Sequence, residues 1–322
     1  MSLTQSGRSV TALAGGVGGA KLAQGLADAV SPESLSIIVN TADDFDLWGL
    51  RICPDLDTVL YTLAGIANPA TGWGIEGDTH VTLDAITRYG EDPWFQLGDQ
   101  DVATHVLRTR ALRAGQSLTE ITANFATRLG VLPRILPMTD DVVATMIHTP
   151  DAVLAFQDYF VRRRQSDTVT GVTLAGIDDA ELSMAARSAI SAADVIVFCP
   201  SNPIVSTGPI LALPGVRDLI GSASAVRIGV SPIVGGKAIK GPADRMLQSL
   251  GHESSAFGVA SIYAGLIDIF VIDTQDAADR ERIEALGMRV VVTGTVMHDR
   301  LDRDRLAIEV LQAADAAREC VA

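Results

Sequence analysis

An apolar run, a glycine-rich turn and a helix-forming segment follow one another near the start of this sequence. Val10 to Ala14 is apolar and ends at Gly15-Gly16-Val17-Gly18-Gly19-Ala20-Lys21, after which Lys21 to Ala29 favours a helix. A second apolar run, Leu35 to Asn40, comes next and has the composition of a buried strand. Strand, helix and strand in this order predict a βαβ unit, which requires a parallel sheet.

The later chain continues the same alternation. A helix is predicted at Glu181 to Ala192, and strands are predicted at Val195 to Cys199, Val226 to Val230, Ile267 to Ile272 and Arg289 to Val292. The predicted fold is α/β, with a Rossmann-like, doubly wound and mostly parallel sheet.

A more helical region interrupts this alternation. Residues 98–167 carry a helical pattern, in which Ser117-Leu118-Thr119-Glu120 matches a capping box that opens a helix through Leu129. We therefore predict a nucleotide-binding core formed by residues 1–97 and 168–322, with a mainly helical insertion at 98–167.

Charge and hydropathy limit the partners of this chain. The net charge of -14 is spread along the sequence, which argues against a duplex nucleic-acid partner, since a wide surface of that kind would need clustered Lys and Arg. No stretch of about 18 apolar residues is present, and Met1 to Ser9 is polar and lacks the pattern of a secretory signal. We expect a cytoplasmic protein without a membrane partner, and a symmetric dimer, since dimers are common among such enzymes.

The glycine-rich turn predicts a phosphate site. Glycines let the backbone approach a ligand, and free NH groups at the start of the following helix attract an anion, to which Lys21 adds a charge. The pattern is not GxGxxG, because Lys21 stands where the third glycine belongs, and its spacing differs from that of a P-loop. A tight βα turn without a ligand is the alternative.

Five carboxylates follow the second predicted strand, at Asp43, Asp44, Asp46, Asp55 and Asp57. Carboxylates at the carboxyl edge of a parallel sheet can hold Mg²⁺ or take a proton from a hydroxyl group. The alternative is that some of them cap helices, with Asp55 or Asp57 opening a helix at 58–64.

Two further loops follow predicted strands, Pro200-Ser201-Asn202-Pro203 and Ser231 to Lys237, and three such loops can surround a diphosphate. The histidines show no spacing typical of a metal site, so structural or surface roles are predicted for His80, His105, His148, His252 and His298.

Several segments resemble a known family, the 2-phospho-L-lactate transferases of coenzyme F420 biosynthesis. The resemblance extends over nearly the whole chain and is carried by Gly-Gly-Val-Gly-Gly-Ala-Lys at 15–21, Val-Asn-Thr-Ala-Asp-Asp at 39–44, Pro-Asp-Leu-Asp-Thr-Val-Leu-Tyr at 54–61, Trp-Gly-Ile-Glu-Gly-Asp-Thr at 73–79, Leu-Gly-Asp-Gln-Asp-Val-Ala-Thr-His at 97–105, Leu-Pro-Met-Thr-Asp-Asp at 136–141, Pro-Ser-Asn-Pro at 200–203 and Val-Ser-Pro-Ile-Val-Gly-Gly at 230–236.

The resemblance implies an enzyme that uses Mg²⁺. It would transfer a 2-phospholactate or phosphoenolpyruvate group from a guanosine diphosphate conjugate (guanosine diphospho-lactate or diphospho-enolpyruvate) to the deazaflavin Fo, releasing GMP. The insertion would contribute to the Fo pocket. The organic acid that is transferred is left open.

The residue patterns and the resemblance together predict the site. Catalytic roles are predicted for Asp57, Asp46 and Asp44, and metal binding for Asp43, Asp44 and Asp57. Substrate contacts are predicted for Gly15, Gly16, Gly18, Gly19, Lys21, Asn40, Asp57, Trp73, Gln100, Ser201, Asn202, Pro203, Ser206, Gly235 and Gly236. Asp57→Asn is expected to reduce Fo turnover and to leave folding intact.

Two other functions compete with this one. An NAD(P)-dependent dehydrogenase also places an acid after the second strand, as Asp43 or Asp44 would be, but it needs the missing third glycine. A non-catalytic guanine-nucleotide-binding protein would have no evident use for five acids beside an aromatic side chain.

Overall fold

The computed structural model describes residues 7–319, so most of the polar N-terminal stretch lies outside the described residues. The strands are β1 (Val10–Ala14), β2 (Leu35–Val39), β3 (Phe45–Leu47), β4 (Leu50–Ile52), β5 (Arg134–Pro137), β6 (Ala144–His148), β7 (Val153–Ala155), β8 (Gly171–Ala175), β9 (Val195–Phe198), β10 (Val226–Val230), β11 (Ile233–Val234), β12 (Lys237–Ala238), β13 (Ile269–Asp273) and β14 (Arg289–Thr293).

The α-helices are α1 (Val17–Ala29), α2 (Pro54–Leu63), α3 (Val81–Arg88), α4 (Asp99–Arg113), α5 (Leu118–Arg128), α6 (Met184–Ser191), α7 (Thr207–Ala212), α8 (Val216–Ser222), α9 (Ala243–Ser249), α10 (Ala256–Ile262), α11 (Arg280–Glu284) and α12 (Arg300–Glu319). Short 3₁₀ helices span Pro32–Ser34, Ile177–Asp179 and Thr274–Asp279, and a π-helix spans Asp158–Arg162. Among the described residues, no helix combines the length and apolarity needed to cross a membrane.

A parallel sheet of seven strands forms the centre of the molecule, in the order β14-β13-β10-β9-β1-β2-β5. From β1 the chain builds outward through β2 to β5, and from β9 it builds in the other direction through β10, β13 and β14. The prediction of a doubly wound α/β fold is therefore confirmed. The point where the order reverses lies between β1 and β9, which is where ligands of such sheets usually bind.

Helices cover both faces of the sheet, which explains the continuous apolar strands. In β1, Val10, Ala12 and Ala14 belong to the core that includes α1, α2 and α12, whereas Leu13 belongs to the core on the other face. Side chains alternate between the faces of a strand, so a strand buried on both sides has no position for a polar, solvent-facing residue.

The start of α2 corrects one expectation. The alternative for Asp55 or Asp57 was that one of them opens a helix at 58–64, but α2 begins at Pro54 with Cys53 as its N-cap, and both acids lie in its first turn. Proline suits the first position of a helix because its missing NH has no partner there anyway. Neither acid is therefore used as an N-cap residue.

The range 98–167 contains both helices and strands. The capping box is confirmed: Ser117 Oγ accepts from the Glu120 amide, and the Glu120 carboxylate accepts from the Ser117 amide at 3.0 Å. However, β5 joins the central sheet, and β6 pairs with β7 and with β8, which lies beyond residue 167. The division into core and insertion stays a prediction, and strands occupy more of this range than the helical pattern indicated.

Candidate active site

A cavity of about 510 Å³ opens at the carboxyl edge of the sheet, beside the neighbouring strands β1 and β9. The turn after β1, the loop after β9, the first turns of α2 and α4, and the segment after β12 line it. The loops of both halves of the sheet thus meet at one cavity, as the strand order predicts.

The glycine-rich turn is closely packed between these loops. A Cβ atom on Gly18 would lie 2.2 Å from the Pro200 carbonyl oxygen, and one on Gly15 would lie 2.5 Å from Ser206 Cβ. The Gly15 amide donates to Ser201 Oγ at 3.0 Å. These positions therefore exclude any side chain, because the loops after β1 and β9 touch there.

Helix α1 starts directly at the cavity. It begins at Val17, and Gly16, Val17 and Gly18 line the cavity wall. Lys21, one turn later, also lines the cavity and donates to the Met297 carbonyl oxygen at 2.7 Å. Burial and then the nearby charges of Arg303 and Lys240 lower the pKa of Lys21. A helix N-terminus beside ammonium groups is suited to bind a phosphate.

Asp43 and Asp55 form the first carboxylate pair of the site, and Asn40 joins them. Asn40 Nδ2 lies 3.1 Å from Asp43 Oδ2, 3.0 Å from Asp55 Oδ2 and 3.2 Å from the Val205 carbonyl oxygen. Burial, together with the neighbouring Asp55, raises the pKa of Asp43 well above its usual range, and burial raises the pKa of Asp55 to about 6. The two carboxyl groups therefore tend to retain a proton, and none of their hydrogen-bond partners among the described residues is a cation.

Asp57 belongs to a second cluster with Arg108, His105, Asp101 and Tyr61. Arg108 donates to both carboxylate oxygens of Asp57, with Nη1 at 3.0 Å from Oδ2. Arg108 Nη1 also lies 3.2 Å from His105 Nδ1. Because guanidinium only donates, Nδ1 is the acceptor in this contact, and Nε2 lies 3.3 Å from Asp101 Oδ1. Tyr61 donates to the same Asp101 oxygen at 2.7 Å.

This second cluster is buried and already compensated. Burial acts to raise the pKa of Asp101, but the bonds and charges of His105, Tyr61 and Arg108 outweigh it and leave that pKa lowered. Asp57, Asp101 and His105 offer ligand atoms within 4.8 Å of one another. The Arg108 guanidinium occupies both oxygens of Asp57, so this cluster is suited to an ion pair more than to a metal.

A divalent cation fits the Asp43–Asp55 pair better than it fits the Asp57 cluster. Asp43 has only the neutral groups of Asn40 and Thr145 as side-chain hydrogen-bond neighbours among the described residues, and Asp55 Oδ1 lies 2.7 Å from the position of a Cβ on Gly16. A carboxylate this close to the N-terminus of α1 would repel a phosphate bound there unless a cation lay between them. Mg²⁺ prefers such carboxylate oxygens and substrate phosphates.

The structure brings many of the predicted residues to the cavity. Those that line it are Gly16, Gly18, Lys21, Asp43, Asp57, Trp73, Ser201, Asn202 and Ser206. Gly15, Gly19 and Asn40 lie directly beneath, where Gly15 is bonded to the Ser201 hydroxyl and Asn40 supports the carboxylate pair. The role of each stays a prediction.

Two of the predicted acids lie away from the cavity wall. Asp44 is buried, with Arg51 Nη2 at 3.9 Å from its Oδ2, and burial raises the pKa of Asp44 to about 7. The Asp46 side chain is 72% exposed and pairs with Arg51 at 3.6 Å. Asp43 and Asp44 lie in the turn after β2, whereas Asp46 lies in β3, so the three acids do not share one direction.

Four further predicted residues do not line the cavity. Gly235 and Gly236, both with positive φ, form the tight turn between β11 and β12, where the Gly235 amide donates to Asp276 at 3.0 Å. Gln100 is exposed in the first turn of α4, and Pro203 lies within the loop after β9. The segment that follows the hairpin, residues 239–243, lines the cavity in their place.

The sequence analysis assigned no role to Asp101 or Arg108, and the structural or surface role that it predicted for His105 stays a prediction. The spacing of these three residues in the sequence indicated that they lie together. Positions 101, 105 and 108 are spaced by four and three residues, so the three side chains share one face of α4. The sequence did not show that this face meets Asp57, because that contact joins residues 51 positions apart.

Comparison with known proteins shows the family. Residues 10–314 match the model of a family described as 2-phospho-L-lactate transferase CofD. A phosphoenolpyruvate transferase of Streptomyces griseus is 41% identical over 315 residues, which cover 96% of this chain and 99% of the relative. A 2-phospho-L-lactate transferase of Methanosarcina barkeri is 40% identical over 283 residues, which cover 88% of this chain and 91% of the relative.

A solved structure shares the fold. A protein of the UPF0052 family from Bacillus halodurans superimposes on this chain with a TM-score of 0.66 at 16% sequence identity. The superposition covers 94% of this chain and 98% of the Bacillus halodurans chain. The expected resemblance is confirmed, and a dehydrogenase or a non-catalytic binding protein no longer fits. The chain belongs to the CofD family of 2-phospho-L-lactate transferases, and it is a transferase enzyme.

Proposed function

We propose that this enzyme transfers a phosphorylated three-carbon acid, 2-phospholactate or phosphoenolpyruvate, from a guanosine diphosphate conjugate to the deazaflavin Fo in coenzyme F420 biosynthesis. The terminal ribityl hydroxyl oxygen of Fo forms a bond to the phosphorus that carries the acid. The bond from that phosphorus to the bridging oxygen breaks, GMP leaves, and the hydroxyl proton passes to a carboxylate.

The observation that carries this proposal is the meeting of a helix N-terminus with a carboxylate pair in one cavity. The first turn of α1 and Lys21 are suited to a diphosphate, and Asp43 and Asp55 lie beside them. A simple phosphate-binding protein needs no buried acids at this position. A phosphoryl-transfer enzyme needs a phosphate site and buried acids together, because it must bind the phosphates and also position an attacking hydroxyl group.

An aromatic wall supports a flat acceptor. Phe156 and Phe160 line the cavity and stack with their ring centroids 5.4 Å apart and their planes 9° from parallel. Trp73, which is 45% exposed, lies at the same cavity together with Phe95. Aromatic side chains bury flat ring systems well, so this wall is the place we assign to the deazaflavin.

We assign Mg²⁺ to Asp43 and Asp55, which revises the predicted set of Asp43, Asp44 and Asp57. Asp44 does not line the cavity, and Asp57 has both oxygens bound by Arg108. When bound, the ion would neutralise charge on the transferring phosphoryl group.

The remaining chemistry is assigned to side chains of this chain. Asp43 lines the cavity beside Asp55, so besides its contact with the ion we assign it the orientation of the ribityl hydroxyl and the acceptance of its proton. Lys21 holds the diphosphate by its charge, and the Asp57–Arg108 pair fixes α4 against α2 below the acceptor. We also propose that the protein is cytoplasmic and forms a symmetric dimer. Light scattering tests the dimer.

A direct transfer assay tests the proposal. The purified protein is incubated with Fo, Mg²⁺ and either guanosine diphospho-lactate or guanosine diphospho-enolpyruvate. The products are identified and quantified by mass spectrometry. We expect GMP and an Fo ester of one phosphorylated acid in equal amounts, and the favoured donor identifies the acid. Absence of an Fo ester with both donors would contradict the proposal.

A further inference from the structure

Lys240 lies at the start of α1, although it is far away in sequence. A Cβ atom built on Gly72 would lie 2.7 Å from Val17 Cγ1 and 3.1 Å from Lys240 Nζ. Val17 Cγ1, on the first residue of α1, and the Lys240 ammonium group therefore both lie close to the point that a Gly72 side chain would occupy. Lys240 also lines the cavity, and its charge contributes to the lowered pKa of Lys21.

Two like charges therefore approach each other at one helix N-terminus. Each ammonium group bonds to a backbone carbonyl oxygen, Lys21 to Met297 at 2.7 Å and Lys240 to Thr71 at 2.5 Å. No carboxylate forms a salt bridge with either lysine among the described residues. Cations that repel each other gain from an anion between them, and a neutral carbonyl oxygen is a weaker partner than a phosphate oxygen.

The bond from Lys240 also joins two segments across the cavity. Thr71 belongs to the loop that carries Trp73, while Lys240 follows the β11–β12 hairpin. The backbone of this loop can approach only because position 72 is a glycine, which has a φ of +79° and no room for a side chain. Movement of Lys240 toward a ligand would consequently act on the loop beside the aromatic wall.

We propose that Lys240 binds the diphosphate of the donor, opposite Lys21 and above the first turn of α1. This inference rests on the proposed function, whose donor site it completes with a second cation. A lysine is suited to this role, since its ammonium group is a compact charge on a flexible stem and can exchange a carbonyl oxygen for a phosphate oxygen. The ligand chemistry is that of a nucleoside diphosphate.

The hairpin offers a matched control. Lys237 is an exposed lysine three positions earlier, and it does not line the cavity. The experiment compares wild type, Lys240→Gln, Lys240→Arg and Lys237→Gln by calorimetric titration with GDP and with pyrophosphate. Thermal unfolding of each variant checks that the fold is kept.

We expect Lys240→Gln to weaken the binding of both ligands about tenfold, the size of one charged hydrogen bond. Lys240→Arg should restore most of the affinity, and Lys237→Gln should stay within about twofold of wild type because it removes only a surface charge. A loss of affinity in Lys240→Gln with an unchanged melting temperature supports binding, whereas a purely structural tie would lower that temperature.

Unchanged affinity in Lys240→Gln, or an equal loss in Lys240→Gln and Lys237→Gln, would overturn the inference. The binding assay requires no turnover, so it separates this inference from the proposed function. If wild type binds GDP through Lys240 but transfers nothing to Fo, only the proposed function fails. If transfer proceeds and Lys240→Gln binds normally, only this inference fails.

Discussion

Asp55 and Asp57 lie two residues apart in the first turn of α2, and their surroundings differ sharply. Both line the same cavity. Asp57 receives two hydrogen bonds from the buried Arg108 guanidinium. Asp55 shares the amide group of Asn40 with Asp43, and its pKa is raised to about 6 by burial.

We infer that this difference separates a structural carboxylate, Asp57, from a functional one, Asp55. A buried ion pair with good geometry is already compensated, and removal of one partner leaves the other charge buried. An uncompensated carboxylate pair is unfavourable in the protein alone, and a cation or a reacting proton relieves it. Asp57 therefore holds α4 on α2, whereas Asp55 and Asp43 are available for chemistry.

The largest expected effect concerns the stability of the ion pair. Asp57→Asn should lower the free energy of unfolding by about 3–5 kcal/mol, because it leaves the Arg108 charge buried without a counter-charge. This revises the expectation that the substitution leaves folding intact. Urea denaturation followed by circular dichroism measures the change.

The double variant Asp57→Asn/Arg108→Met is the matched control. It removes both charges and should recover most of the lost stability, within about 2 kcal/mol of wild type. A loss below about 1 kcal/mol in Asp57→Asn alone would show that Arg108 finds another partner, and the structural role of Asp57 would then be wrong.

Asp55→Asn should have the opposite effect to Asp57→Asn, because it should lower activity without lowering stability. We expect transfer to Fo to fall roughly 100-fold, the order seen when the surroundings of a metal are disturbed, while the melting temperature stays at or above the wild-type value. Initial rates at a Mg²⁺ concentration that saturates wild type check the activity, and thermal unfolding checks the stability. Full activity in this variant would exclude Asp55 from the site.

The pH dependence of the unfolding free energy tests the same difference between Asp55 and Asp57. The folded-state pKa of Asp55 is raised to about 6, so between about pH 4 and 7 the folded protein holds a proton that the unfolded chain has released, and rising pH lowers stability. In metal-free buffer, Asp55→Asn should therefore gain about 1–2 kcal/mol relative to wild type from pH 4 to pH 7. A constant difference across this range would contradict the uncompensated charge.

The smallest expected effect is at His105, which accepts from Arg108 and supports Asp57 indirectly. His105→Gln should cost about 1 kcal/mol of unfolding free energy, the size of one hydrogen bond. His252→Gln, at an exposed position, is the control and should cost nothing measurable. A loss of several kcal/mol at His105 would indicate that the ring carries charge in the ion-pair network.

The sequence predicted the parts of this account that depend on local pattern. The apolar runs at β1, β9 and β10 and the capping box of α5 were predicted correctly, because strand burial and helix caps are determined by neighbouring residues. Strand β5 was missed, since its four residues lie within a stretch of helical pattern.

The site was predicted only in outline. The acids after β2 were recognised, but their division into cavity-lining, buried and exposed groups depends on which face of a strand or helix each residue occupies. The contact between Asp57 and Arg108 and the position of Lys240 beside Val17 join distant parts of the chain. Such contacts follow from the packing of whole elements, which no local pattern encodes.

The contrast between the two carboxylates is tested most directly by metal binding. Mn²⁺, which has similar ligand preferences to Mg²⁺, is titrated into wild type, Asp55→Asn and the Asp57→Asn/Arg108→Met double variant, and free Mn²⁺ is measured by electron paramagnetic resonance. We predict that wild type and the double variant bind the ion and that Asp55→Asn does not. Binding by Asp55→Asn, together with loss of binding in the double variant, would contradict the account.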